Sequence, residues 1–150
     1  MKKIILSAAV MMLVVTGFST TPPDSNPDVD IKVLEAFNKT FNKTEDLVWY
    51  ENSNSYEARF NSEGIRAVVW YDKSGELLRM HRYYTEYKLP PFVLSKLRKK
   101  MPDEKIYGVT EITSKTGVEF YITMQDEKNW IQVKADANGD FEVIEKFKKA

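Results

Sequence analysis

The chain has 150 residues, 43% of them hydrophobic and 29% charged, which suits one folded domain or two small units and excludes a disordered chain. Lys plus Arg and Asp plus Glu both number 22, so the zero net charge gives no electrostatic footing for nucleic acid. With no Cys, disulfides, thiolate metal sites, a Cys nucleophile and a lipid-anchored Cys are excluded; with one His, His81, multi-His metal sites are excluded too.

Lys2 and Lys3 open the chain, Ile4 to Val15 is almost wholly apolar, and Gly17 and Ser19 supply small residues. This is the pattern of a signal peptide over residues 1–19. The apolar run, about 12–15 residues, falls short of the ~20 a membrane helix needs. Residues 20–28, with Pro22, Pro23 and Pro27 among small polar residues, read as a flexible tether. Loss of Lys2 and Lys3 leaves the mature chain with a net charge close to −2.

From Ile31 to about Asn42 the spacing predicts a helix, with Asp28 or Asp30 as its cap. Val33, Phe37, Thr40 and Phe41 form its apolar side. The triplets Asn38-Lys39-Thr40 and Asn42-Lys43-Thr44 match a glycosylation acceptor, but in a helix and its exit they read as chance matches. Four strand signals follow: Leu47–Tyr50, Tyr56–Asn61, Ile65–Tyr71, and Leu77 to about Tyr84. Tyr56, Ala58 and Phe60 alternate with Glu57 and Arg59. Ile65, Ala67, Val69 and Tyr71 alternate with Arg66, Val68 and Trp70. On the last strand Leu78 and Met80 oppose Arg79, His81 and Tyr83.

Leu89-Pro90-Pro91 then starts a second helix, Phe92–Lys100, with Val93, Leu94, Leu97 and Met101 on one side and Pro102 as its stop. Its basic end, Arg98–Lys100, is read as solvated and favourable to the helix dipole rather than as an anion site. Four more strands follow. Val118, Phe120, Ile122 and Met124 share a face, as do Ile131, Val133 and Ala135, leaving Tyr121, Trp130, Gln132 and Lys134 on the other. The turn Asp136–Gly139 repeats the turn Asp72–Gly75, 64 residues on.

The expected fold is therefore α+β: two tandem units, about 29–86 and 87–150, each a helix plus a four-stranded antiparallel meander. They share one sheet, with helices on one face. The other face has no cover in the sequence. It carries Arg66, Trp70, Arg79, Tyr83, Tyr121 and Trp130, a composition found at interface hot spots. The same residues also suit cross-strand pairs that merely stiffen a sheet.

Phe37, Phe41, Trp49, the Tyr56-x-Ala58-x-Phe60 strand, the Tyr71-Asp72-x-x-Gly75 turn, Leu89-Pro90, Pro102 and the Asp136-x-x-Gly139 turn stand in an order that resembles the PepSY-like family. This family is also described as β-lactamase-inhibitor-like, and the match runs from about Val29 to Phe147. The resemblance implies a secreted or periplasmic non-enzyme. Inhibition of β-lactamase does not carry over, because no loop residues match and the two disulfides of such inhibitors cannot form without Cys.

The function expected is a non-enzymatic module that engages an exported or envelope protein through the open face. The alternative is a small-molecule or envelope-glycan binder using the same aromatics. No metal or cofactor is expected: Asp136–Asp140 lacks the downstream Glu and helical context of a calcium loop. His81 has no recognisable nucleophile motif beside it, so a catalytic role for it is not expected.

Overall fold

The computed structural model describes residues 27–150; the expected signal peptide and nearly all of the tether lie outside them. Helix α1 (Ile31–Thr40) begins where Asp30 Oδ1 accepts the Lys32 N–H at 2.9 Å. It ends two residues earlier than the periodicity predicts, because Phe41 is already extended. Thr40, expected on the apolar side, is exposed at this end and donates its hydroxyl to Ala36 O at 3.2 Å. Val33 and Phe37 are fully buried. The Phe37 ring meets Phe41 at 5.1 Å, Trp49 at 5.2 Å and Phe60 at 5.2 Å. Truncating such a side chain to Ala typically removes about 3–5 kcal/mol.

Strands β1 (Glu45–Asn52), β2 (Ser55–Ser62), β3 (Ile65–Asp72) and β4 (Leu77–Tyr84) follow. A 3₁₀ turn (Glu86–Lys88) and helix α2 (Pro91–Lys100) come next, then β5 (Lys105–Ser114), β6 (Gly117–Gln125), β7 (Asn129–Asp136) and β8 (Phe141–Lys148). All eight strands form one antiparallel sheet in chain order. Register places Tyr56 opposite Tyr71, Ala58 opposite Val69 and Phe60 opposite Ala67. These residues pack with Val33 and Phe37 of α1, while Val109, Ile122, Met124, Ile131 and Val133 pack with Val93 and Leu97 of α2. Ile65 belongs to the α2 cluster, and Ala67, Val69 and Tyr71 to that of α1. All four alternate on one side of β3, so both helices cover the same side of the sheet.

One facing differs from expectation. The loop between β3 and β4 closes with Asp72 N–H donating to Glu76 O, and the register slips between Trp70 and Tyr71. Leu77, not Leu78, therefore opposes Tyr71 and joins the α1 cluster. The edge strands β1 and β8 also carry register shifts. On β8 these combine with Lys146 and Lys148 beside the exposed Val143, Ile144 and Phe147, features that discourage edge-to-edge pairing.

The two Asp-x-x-Gly turns share one hydrogen-bond pattern. Asp72 Oδ1 accepts the N–H groups of Ser74 and Glu76, each at 2.9 Å. Asp136 Oδ1 accepts those of Asn138 at 2.8 Å and Asp140 at 2.9 Å. Each closing glycine lies against a helix: a Cβ on Gly75 would stand 2.9 Å from Lys32 O, and one on Gly139 3.3 Å from Val93 Cα. Between the two core clusters, on the helix side, Glu111 is buried. It accepts both Nε and Nη2 of Arg82, at 3.0 and 2.5 Å, and the Tyr84 hydroxyl at 2.6 Å. The strand pair β4–β5 is thus joined by a satisfied ion pair as well as by its ladder.

Candidate functional site

The side of the sheet away from the helices is uncovered among the described residues. Its dominant feature is built on β2, β3 and β4. Trp70 sits opposite Glu57 on one side and Arg79 on the other. Glu57, only 9% exposed, spends both oxygens: Oε1 accepts Arg59 Nε at 2.5 Å and Oε2 accepts the Trp70 indole N–H at 2.9 Å. The indole is therefore held in one orientation. Arg79 lies over its face, 4.2 Å from the ring, and His81 meets it edge-on at 4.7 Å. Tyr83 continues the row, 6.3 Å from His81 between ring centres, and Arg66 lies 5.9 Å over the Tyr83 ring.

The result is a ladder, a row of three rings flanked by two guanidinium groups, Arg79–Trp70–His81–Tyr83–Arg66. Val68, between Arg66 and Trp70 on β3, is buried beneath it. Burial, then the charge of Arg79, pushes the His81 pKa below its usual value, while Glu57 opposes this. A largely neutral imidazole at neutral pH follows. Its polar contact is the Tyr83 hydroxyl, 3.4 Å from Nδ1.

Of the six residues expected at the site, Arg66, Trp70, Arg79 and Tyr83 are brought together here. Tyr121 and Trp130 share the face but not the patch. Tyr121 lies on β6, in line with Tyr83 but separated from it by Thr110 of β5, and Trp130 lies one strand further on, on β7. Tyr121 opposes Lys134, whose ammonium sits 5.7 Å over its ring and 2.8 Å from Glu119. Trp130 opposes Gln125, four residues along β6 from Tyr121, a separation of about 13 Å.

Trp130 has a partner that pattern reading missed. Tyr107, 63% exposed, meets it edge-on at 5.0 Å, and Lys149 lies 5.1 Å over the indole. Tyr107 occupies the register shift between Ile106 and Gly108. A glycine inside a strand pattern was the available signal for that bulge.

Two clefts lie at the margins. One is bounded by Lys96, Lys100, Gly139 and Phe141, another by Asp103, Lys105, Asp126 and Lys149, and neither is lined by the ladder residues. The ladder itself is a shallow surface, better shaped for a broad partner than for a small enclosed ligand. Among the described residues no helix is long and apolar enough to cross a membrane.

The fold has similar solved structures. One is a BLIP-like protein from Bacteroides fragilis, 17% identical with a TM-score of 0.61, covering 87% of this chain and 89% of that one. Another is a DUF2874 family protein from Bacteroides ovatus, 16% identical with a TM-score of 0.62, covering 82% and 89%. A third, from Bacteroides eggerthii and described as a candidate periplasmic protein, is 18% identical with a TM-score of 0.59, covering 80% and 88%. At these identities the likeness is one of fold. No family model matches the chain, and no curated protein does.

Proposed function

We propose that this chain is a non-enzymatic, PepSY-like module, exported to the periplasm, that grips a protein partner through the uncovered sheet face. The observation that carries this reading is the Arg79–Trp70–His81–Tyr83–Arg66 ladder. Its indole is fixed by a buried carboxylate, while Tyr83 stands 38% exposed. Aromatic and arginine side chains held in place before binding lose little freedom on contact, the property that concentrates affinity in hot spots. The BLIP-like and candidate periplasmic neighbours share the fold and so support a binding scaffold outside the cytoplasm. The matched Asp72–Gly75 and Asp136–Gly139 turns, each seated under its own helix, support two tandem copies of one design.

The test is crosslinking in the envelope followed by mass spectrometry and measured affinity for the captured protein. Tyr83→Ala and Trp70→Ala should each weaken that affinity tenfold or more, about 1.4 kcal/mol. Retention of every partner at wild-type affinity by both variants would refute the reading. A second reading, binding of an envelope glycan or small molecule, draws on the exposed Tyr107 beside Trp130. It requires a change in tryptophan fluorescence on titration with cell-wall fragments, and silence across them removes it.

A further inference from the structure

We propose that the occupant of the ladder is an acidic protein segment, extended along β3 and β4, whose two carboxylates pair with Arg66 and Arg79. This rests on the protein-binding reading above and names the partner's chemistry.

The chain has five arginines. Three are matched to carboxylates: Arg59 to Glu57, Arg82 to Glu111 and Arg98 to Glu86. Arg66 and Arg79 have no carboxylate partner among the described residues; each has only an aromatic ring beneath it. Both are exposed on the uncovered face. A guanidinium laid on a ring keeps its N–H edges outward and has fewer rotamers to lose, so an arriving carboxylate meets a positioned fork. The acid nearest in register, Glu57, is not free to serve, since Arg59 and Trp70 take both its oxygens.

Spacing defines the occupant further. Arg79 pairs with Trp70 across the ladder, and Arg66 lies four residues from Trp70 along β3, or about 13 Å. An extended segment repeats that distance between residues i and i+4. Between the two arginines the surface is the half-buried His81 ring, lying over the buried Val68, which suits an apolar residue midway. An anionic membrane plane fits less well. It would have to lie over the whole face, where β6 and β8 present Glu119, Glu142 and Glu145. A narrow acidic strand confined to β3 and β4 avoids those charges.

The probe is a heptapeptide with glutamates at its second and sixth positions and phenylalanine at its fourth, compared with its glutamine counterpart. Five arginines give five Nε–Hε NMR signals at most, so the assignment is direct. The glutamate peptide should move the Arg66 and Arg79 signals and leave Arg59, Arg82 and Arg98 in place, while the glutamine peptide moves none. Arg66→Gln and Arg79→Gln should each weaken the glutamate peptide about tenfold or more. Arg66 and Arg79 signals unmoved by the glutamate peptide, or moved equally by both peptides, overturn the inference. If the glutamine peptide perturbs the Trp70 and Tyr83 rings alone, the face still binds protein but the carboxylate assignment falls. Movement with phosphatidylglycerol vesicles and not with the glutamate peptide overturns the protein-segment assignment.

Discussion

Replacing Gly75 by Ala tests the contact on which the first half of the fold is built. Gly75 has φ +90°, where an L side chain is strained by about 1–2 kcal/mol. Its new Cβ would also lie 2.9 Å from Lys32 O and 3.1 Å from Lys32 C. Those are backbone atoms in the first turn of α1, so no flexible side-chain end can yield. Overpacking of this kind adds about 1–3 kcal/mol. Gly75→Ala should therefore lose about 2–5 kcal/mol, a large share of the ~5–15 kcal/mol typical of a whole domain. Three other glycines calibrate the argument. Gly64→Ala, at φ +74° with open space around it, should lose the backbone part alone, about 1–2 kcal/mol. Gly139→Ala should fall between, because the Lys96 side chain can move while Val93 Cα cannot. Gly108→Ala, with ordinary φ and no neighbour, should be neutral or slightly stabilising. Equilibrium urea unfolding followed by tryptophan fluorescence gives all four midpoints. One transition is expected, since Ile65 and the Arg82–Glu111 pair tie the two core clusters together. A Gly64→Ala loss equal to that of Gly75→Ala would refute the seating of α1 on this turn.

Further outcomes follow from the buried polar groups. Tyr71 Oη is buried with no hydrogen-bond partner of good geometry among the described residues; the Thr40 hydroxyl nearby donates to Ala36 O and offers Tyr71 only a poorly aligned acceptor. Tyr71→Phe should thus gain about 1 kcal/mol in urea unfolding, and a loss of that size would show the hydroxyl is bonded. Burial pushes the Tyr71 pKa up to about 12, and burial followed by the Glu111 hydrogen bond drives Tyr84 up as well. The folded state holds protons that the unfolded state releases near pH 10, so stability should be full below that and fall as pH rises through the folded values. Absorbance at ~295 nm should show these two tyrosines ionising last, together with unfolding. His81 behaves in the opposite sense: its lowered pKa contributes stability that is full above about pH 6.5 and is lost as pH falls toward the folded value. Glu57, Arg79 and Tyr83 lie beside it, and Arg79→Gln should raise its NMR titration midpoint by removing a nearby positive charge.

The alternation of Tyr56, Ala58 and Phe60, and of Ile65, Ala67, Val69 and Tyr71, was legible because it is a local property of each strand. The same holds for the Gly75 and Gly139 turns, which announce a backbone that few other residues adopt. Grouping of Arg66, Trp70, Arg79 and Tyr83 followed once β3 and β4 were read as a hairpin. What depends on register between strands was not legible. The slip at Trp70/Tyr71 exchanged Leu77 for Leu78. Tyr121 and Trp130 share a face yet stand apart, because facing says nothing about position along a strand. Tyr107 reaches the face through a bulge, and the burial of Glu57 depends on a contact 13 residues away.

Whether this face binds or only stiffens the sheet turns on which residues are satisfied within the fold. Stiffening pairs are complete in themselves, each contributing roughly 0.2–1 kcal/mol. Glu57 with Arg59 and Trp70 is complete in that sense, so Trp70→Ala strands a buried carboxylate oxygen and weakens fold and binding together. Arg66 and Arg79 are not complete. Two exposed cations resting on rings without a counter-charge contribute little to folding. Their removal should leave the unfolding midpoint nearly unchanged, and any binding lost with them belongs to the surface rather than to the stability of the sheet that carries it.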